Sequence, residues 1–105
     1  MINNVSPAEK SNKFATCTND EKSLSANVKA EILKTNPNRK YAALINTSGV
    51  DITLILGDTD QGGINKGIIL NPRGSYEINA NNLYLGKIVA VALSTCKLSF
   101  VECVE

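Results

Sequence analysis

The 105-residue chain contains no histidine and no tryptophan. Without an imidazole, neither Ser-His-Asp nor Cys-His activation of a nucleophile is possible, and every histidine-ligated metal centre is excluded. Other aromatic side chains are sparse, with three tyrosines and two phenylalanines. Basic residues are not interleaved with them, so stacking platforms for sugars or single-stranded nucleic acid are not expected. A dominant charge is lacking too: eleven basic residues against ten acidic leave a net charge of +1. That sets up no field to steer the chain to nucleic acid or to an anionic membrane. No apolar run approaches the roughly 18 residues of a transmembrane helix. The opening stretch MINNVSPAEKSNKFATCTND has no apolar signal-peptide core, which predicts a protein made in a cytoplasm.

The polar residues that are present form no recognisable reactive constellation. Lysines fall at expected strand edges and loops, where a solvated role is the ordinary one. Asp58 and Asp60 with Gly62 open like a calcium loop, but the twelfth position is Ile69 where a bidentate glutamate is needed, and flanking helices are missing. Glu31, Glu77, Glu102 and Glu105 carry no sign that two of them face one cleft. The sequence therefore predicts no catalytic residue, no cofactor and no metal site, and hence no enzyme. Three cysteines cannot pair completely. Cys96 and Cys103 flank one apparent strand and lie too far apart to bridge, at roughly 3.3 Å per residue. Cys17 can reach either only if the leader folds back, so three reduced, partly buried thiols are expected.

What is there is a change of pattern along the chain. Residues 1–27 are rich in Asn, Ser, Thr, Lys and Glu, with isolated apolar side chains at Val5, Phe14 and Leu24. Neither strand nor helix periodicity is sustained, apart from a two-turn helical possibility in SPAEKSNKF. This segment is expected to be a polar arm, partly disordered alone, whose apolar residues anchor on a partner.

From residue 28 to 105 short apolar runs alternate with turn residues. VKAEILK, RKYAALIN, ITLILG, GIIL, SYEI, KIVAVAL and KLSFVECV read as strands. The first two are separated by a proline break at Pro37, and RKYAALIN and ITLILG are expected to form a hairpin across Ser48 and Gly49. NPRG reads as a β-turn with Pro72 second and Gly74 closing it, and residues 57–67 read as a long loop. KIVAVAL is apolar on both faces and is expected to be a central strand. About seven antiparallel strands at roughly ten-residue spacing predict an all-β domain, either a β-sandwich or a small barrel. Tyr41, Tyr76 and Tyr84 are expected in the sheet with their hydroxyls at the rim.

This order of segments resembles a loose class of small virion proteins of tailed bacteriophages, which includes capsid decoration (cement) proteins and accessory head or tail proteins. The residues that carry the likeness are Asn36-Pro37-Asn38-Arg39 before the strand at 41–45, then Asn46 and its polar turn. They continue with Leu54-Ile55-Leu56-Gly57, Gly67-Ile68-Ile69-Leu70, the turn at 71–74 leading into Ser75-Tyr76-Glu77, Gly86 before the alternating run, and the acidic terminus. The likeness covers residues 36–105.

It implies a β-sandwich added to the outside of a viral shell, stabilising it. Partners would be the major capsid protein and further copies of the chain, as a homodimer or homotrimer. The site would be the virion surface, with Val5, Phe14, Leu24, Arg39, Tyr76 and Tyr84 as candidate contact residues and Arg39 able to pair across the sheet. Two alternatives stay open: an accessory protein of a phage tail, neck or baseplate, and a small cytoplasmic ligand-binding β-domain.

Overall fold

Each apolar run bounded by turn residues becomes a strand in the computed structural model, which describes residues 13–105. The strands are β1 (Thr16–Leu24), β2 (Ala30–Leu33), β3 (Arg39–Ile45), β4 (Ile52–Leu56), β5 (Ile68–Leu70), β6 (Ser75–Ile78), β7 (Ile88–Val91) and β8 (Cys96–Val104). No helix forms among the described residues. The strands make two four-stranded antiparallel sheets, ordered β1-β8-β3-β6 and β2-β7-β4-β5, here called sheets A and B. The architecture is a sandwich, not a closed barrel.

Period-two alternation decides which side chains meet between the sheets. Sheet A supplies Leu24, Ala42, Leu44, Ile78 and Leu98, and sheet B supplies Ile32, Leu33, Ile52, Leu54, Leu70, Ile88 and Ala90, all in one buried cluster. A bulge between Glu31 and Leu33 turns both Ile32 and Leu33 inward, where strict alternation would admit one. β7 lies between β2 and β4 and is buried along its whole length, as the two-sided apolar character of KIVAVAL predicts.

The outer face of sheet B has a small core of its own, Ile55, Val89 and Val91 beneath Ile64. The loop 57–67 folds back over it. Lys29 holds that loop from below, its ammonium donating to Thr59 O (3.0 Å), Gln61 O (2.9 Å) and Gly62 O (3.1 Å). Asn65 N donates to Thr53 Oγ1 at 3.1 Å, and Lys87 pairs with Asp58 at 3.0 Å. Gly62, at φ +59°, passes so close to the strand that a Cβ there would stand 2.9 Å from Ile55. The loop acts as a third layer over β4 and β7.

Three expectations are corrected. Residues 16–24 do not stand apart as an arm: they are β1, paired with β8 from Thr16 opposite Val104 to Leu24 opposite Cys96. Val5 and most of the SPAEKSNKF segment lie outside the described residues. Next, β3 and β4 do not form a hairpin; the turn at 46–50 carries the chain from sheet A to sheet B. Finally, Cys17 and Cys103 are disulfide-bonded, with Cα atoms 4.0 Å apart, and Cys96 alone is a free thiol. Antiparallel pairing of β1 with β8 is the fold-back that Cys17 needed.

Candidate interaction surface

Register fixes what sheet A presents to solvent. Since Ala42, Leu44 and Leu98 point into the core, Tyr41, Ala43 and Ile45 of β3 point out. Their directly opposed partners on β8, Cys103, Val101 and Ser99, share that face, as do Cys17 and Glu21 of β1 and Ser75 and Glu77 of β6. Tyr41, Ala43, Ile45 and Val101 are each only half-buried. Phe14, entering ahead of β1, stacks on Tyr41 with ring centroids 5.4 Å apart and planes 19° from parallel, and it remains 42% exposed.

The result is an apolar strip with a polar surround. Tyr41 donates its hydroxyl to Glu77 Oε2 at 2.6 Å. That hydrogen bond, then burial, then the glutamate's charge hold the phenol above its ordinary pKa. Lys97 and Glu21 pair at 3.4 Å beyond the other end of the strip. Beside Phe14 and Tyr41 a groove of about 250 Å³ is walled by Lys40, Asn79, Ala80 and Asn81. Apolar centre and polar rim are the anatomy of a protein-binding face. On sheet B the 57–67 loop covers Ile55, Val89 and Val91 of the outer face, leaving Ile69 of the edge strand β5 exposed there as a lone apolar side chain.

The open edge beside this strip is guarded. β1 ends sheet A, and all of its residues but Leu24 are exposed. Asp20 and Lys22 oppose Phe100 and Leu98, so their charges lie on the core side of the strand, beyond the cover of sheet B. Charge pointing inward on an edge strand disfavours strand addition. On the β1 side, the face and not the edge is suited to contact.

Of the contact residues expected from sequence, Phe14 lies on this face. Leu24 does not: it is 1% exposed and belongs to the core. Arg39 is also 1% exposed, and its guanidinium makes four hydrogen bonds inside the molecule. It donates to Glu102 (2.8 Å), Tyr84 O (2.8 Å), Gly86 O (3.0 Å) and Lys34 O (2.8 Å). The expected pairing across the sheet is present, but as an internal clamp and not a contact point. Tyr76 and Tyr84 are half-buried against the core, and Tyr84, in the loop before β7, donates its hydroxyl to Lys87 O at 2.9 Å. Sequence reading missed Ala43, Ile45 and Val101, whose signal was that RKYAALI is apolar at both alternating sets of positions.

Asp58, half of the suspected calcium-loop opening, is committed to Lys87. That hydrogen bond, with a further one from Thr59 N, holds its carboxyl below the ordinary aspartate value. No group of three metal-ligating side chains occurs among the described residues. Compared with known proteins, the chain matches no family model, no curated protein and no solved structure.

Proposed function

We propose that the protein is a structural component that docks on a protein lattice, a decoration protein on the outside of a phage shell. The observation that carries this reading is the asymmetry of the sandwich. One outer face has the chain's own loop folded over its centre, with Ile69 left exposed at the edge, while the other leaves Phe14, Tyr41, Ala43, Ile45 and Val101 partly open inside a polar rim. Such a strip buries modest apolar area, so a single contact is weak, and repetition over a symmetric shell supplies the avidity. The coat lattice is the proposed occupant of this face, with further copies of the chain as dimer or trimer neighbours.

The Cys17–Cys103 bond also supports this placement, since disulfides persist on virion and cell surfaces and are rare in reducing cytoplasm. The protein would be made in the host cytoplasm and would act on the particle outside it.

Co-sedimentation with purified heads of the phage that carries the gene tests the reading, with copy number taken from quantitative mass spectrometry. Saturable binding at a lattice-like stoichiometry is expected, reduced at least tenfold by Val101→Glu or Ala43→Glu. A handful of copies per particle would move the protein to the tail or neck, and absence of binding would sink the virion reading.

A further inference from the structure

Asn46 closes β3 with no exposed surface. Its Nδ2 donates to Val50 O (2.7 Å) and Leu70 O (2.8 Å), and its Oδ1 accepts from Ser48 N (2.9 Å) and Ser48 Oγ (2.6 Å). Its backbone N donates to Gly74 O at 2.8 Å, and its carbonyl accepts from Arg73 N at 2.7 Å. All the hydrogen-bonding groups of this residue are used. Through them it locks two neighbouring turns together, 46–50 and 71–74, each of which carries the chain from one sheet to the other.

Between these turns lies an open cleft of about 530 Å³, lined by Ile45 and Asn46 at the end of β3, by Thr47, Ser48 and Gly49 of the first turn and by Pro72 and Arg73 of the second. The second turn closes through Gly74 N to Asn71 O at 2.7 Å. Its third residue, Arg73, has φ +68°. That is the type II position where glycine or asparagine is favoured, because a Cβ crowds the backbone there. An arginine held in this conformation is a local conflict of the kind that clusters at functional sites.

The exposed side chain makes no polar contact that would offset it. Arg73 makes no ion pair, and its guanidinium no hydrogen bond, among the described residues. The neighbouring carboxylate, Asp51, instead accepts from Asn71 Nδ2 at 3.0 Å. The Thr47 hydroxyl is likewise without a partner among the described residues, while that of Ser48 is bound to Asn46 and Val50.

We propose that this cleft binds an oxyanion, a carboxylate or a phosphate, with the Arg73 guanidinium as its fork-shaped ligand and the Thr47 hydroxyl as a second donor. A planar guanidinium matches either group through two parallel hydrogen bonds. The Asn46 network supplies rigidity, since both walls are fixed by one buried residue before any ligand arrives. The cleft borders the sheet A strip at Ile45, but its proposed ligands, Arg73 and Thr47, are not part of that strip, so the inference does not rest on docking there.

The test is an amide NMR titration of the full chain with sodium phosphate and, separately, sodium acetate, with ionic strength held constant by sodium chloride. Saturable shifts confined to residues 47–49 and 72–74 and to the Arg73 side chain are expected, with millimolar affinity. A response to acetate alone assigns a carboxylate ligand, and a response to phosphate alone assigns a phosphate. Arg73→Gln is expected to weaken binding at least tenfold. Gly49→Asp gives a second variant, because a Cβ at Gly49 meets nothing within 4 Å, so a carboxylate placed there repels the ligand without crowding the fold. No saturable shift with either anion, or unchanged binding in both variants, would overturn the proposal.

Discussion

Arg39 Nε donates to Glu102 Oε2 at 2.8 Å from a side chain with no exposed surface, while the glutamate side chain keeps 18%. Three of the four remaining guanidinium hydrogens close on the carbonyls of Lys34, just after β2, and of Tyr84 and Gly86 in the loop before β7. An arginine in this position replaces backbone partners that irregular segments cannot find in a ladder. Arg39→Met should cost about 3–5 kcal/mol, because it strands a partly buried carboxylate as well as the carbonyls. Glu102→Leu added to that variant should recover part of the loss, since the uncompensated charge goes with it. Urea unfolding of the two variants measures both, and equal stabilities would contradict a charge-based cost.

The disulfide joins positions 86 residues apart. In the chain-entropy account, a loop of that length contributes about 4.5 kcal/mol by restricting the unfolded state. Reduction, or Cys17→Ser, should lower the unfolding free energy by about that amount. Thiol titration of the denatured chain should count one reactive group before reduction and three after. Three thiols without reductant would show that the bond does not form.

Lys29 and the 57–67 loop make a separable unit. Lys29→Met removes the cation from Thr59 O, Gln61 O and Gly62 O, at an expected cost of about 1–2 kcal/mol. Ile55, Val89 and Val91 should then become accessible, seen as faster amide exchange in β4 and β7 and as binding of a hydrophobic dye. Unaltered exchange would mean that Ile64 holds the loop without the lysine.

Two titrations have defined signs. Asp58 is held below its ordinary value of 3.8, so its contribution is complete above that pH and is lost as pH falls through the lower folded value. Lys87→Met should return the carboxyl toward 3.8. Tyr41 is held above its ordinary 10.0, so its contribution is complete below that pH and disappears as pH rises through the higher folded value. Glu77→Gln should bring phenolate absorbance on at lower pH. A phenol that titrates unchanged in that variant would refute the 2.6 Å contact as the cause.

Arg73→Gly relieves the left-handed conformation at the cost of a more flexible unfolded chain. A net gain of up to about 1 kcal/mol is expected, measured by thermal unfolding. A loss of stability would mean that the arginine packs for the fold, not for a ligand.

Most of the fold was legible because its strands are amphipathic or wholly apolar. β2 to β8 each follow an apolar run between turn residues, and the Pro72 turn closes where the sequence places it. β1 was illegible for the same reason. TCTNDEKSL presents no apolar alternation, since the strand is solvated on both faces and only Leu24 enters the core. Its position comes from a long-range pairing that local pattern does not encode. The turn at 46–50 misled because a short connection inside a sheet and one between sheets look alike in sequence; the buried amide of Asn46 makes the difference. Arg39 misled because arginine is rarely buried, and only the loop carbonyls, absent from any motif, reveal why it is. The strip on sheet A was half-legible through Phe14, and its centre hid among residues that read as ordinary strand interior.

The pairing of Thr16 with Val104 sets the two ends of the described chain side by side at one end of sheet A. Tension applied through those ends would load β1 and β8 as a zipper, in which hydrogen bonds fail one pair at a time and offer little mechanical resistance. The Cys17–Cys103 bond sits one pair in from that fork. It would stop the peeling almost before it starts and carry the force across a covalent link, leaving the rest of the sandwich unloaded. A domain tethered at both ends would thus behave under load as a short inextensible clip.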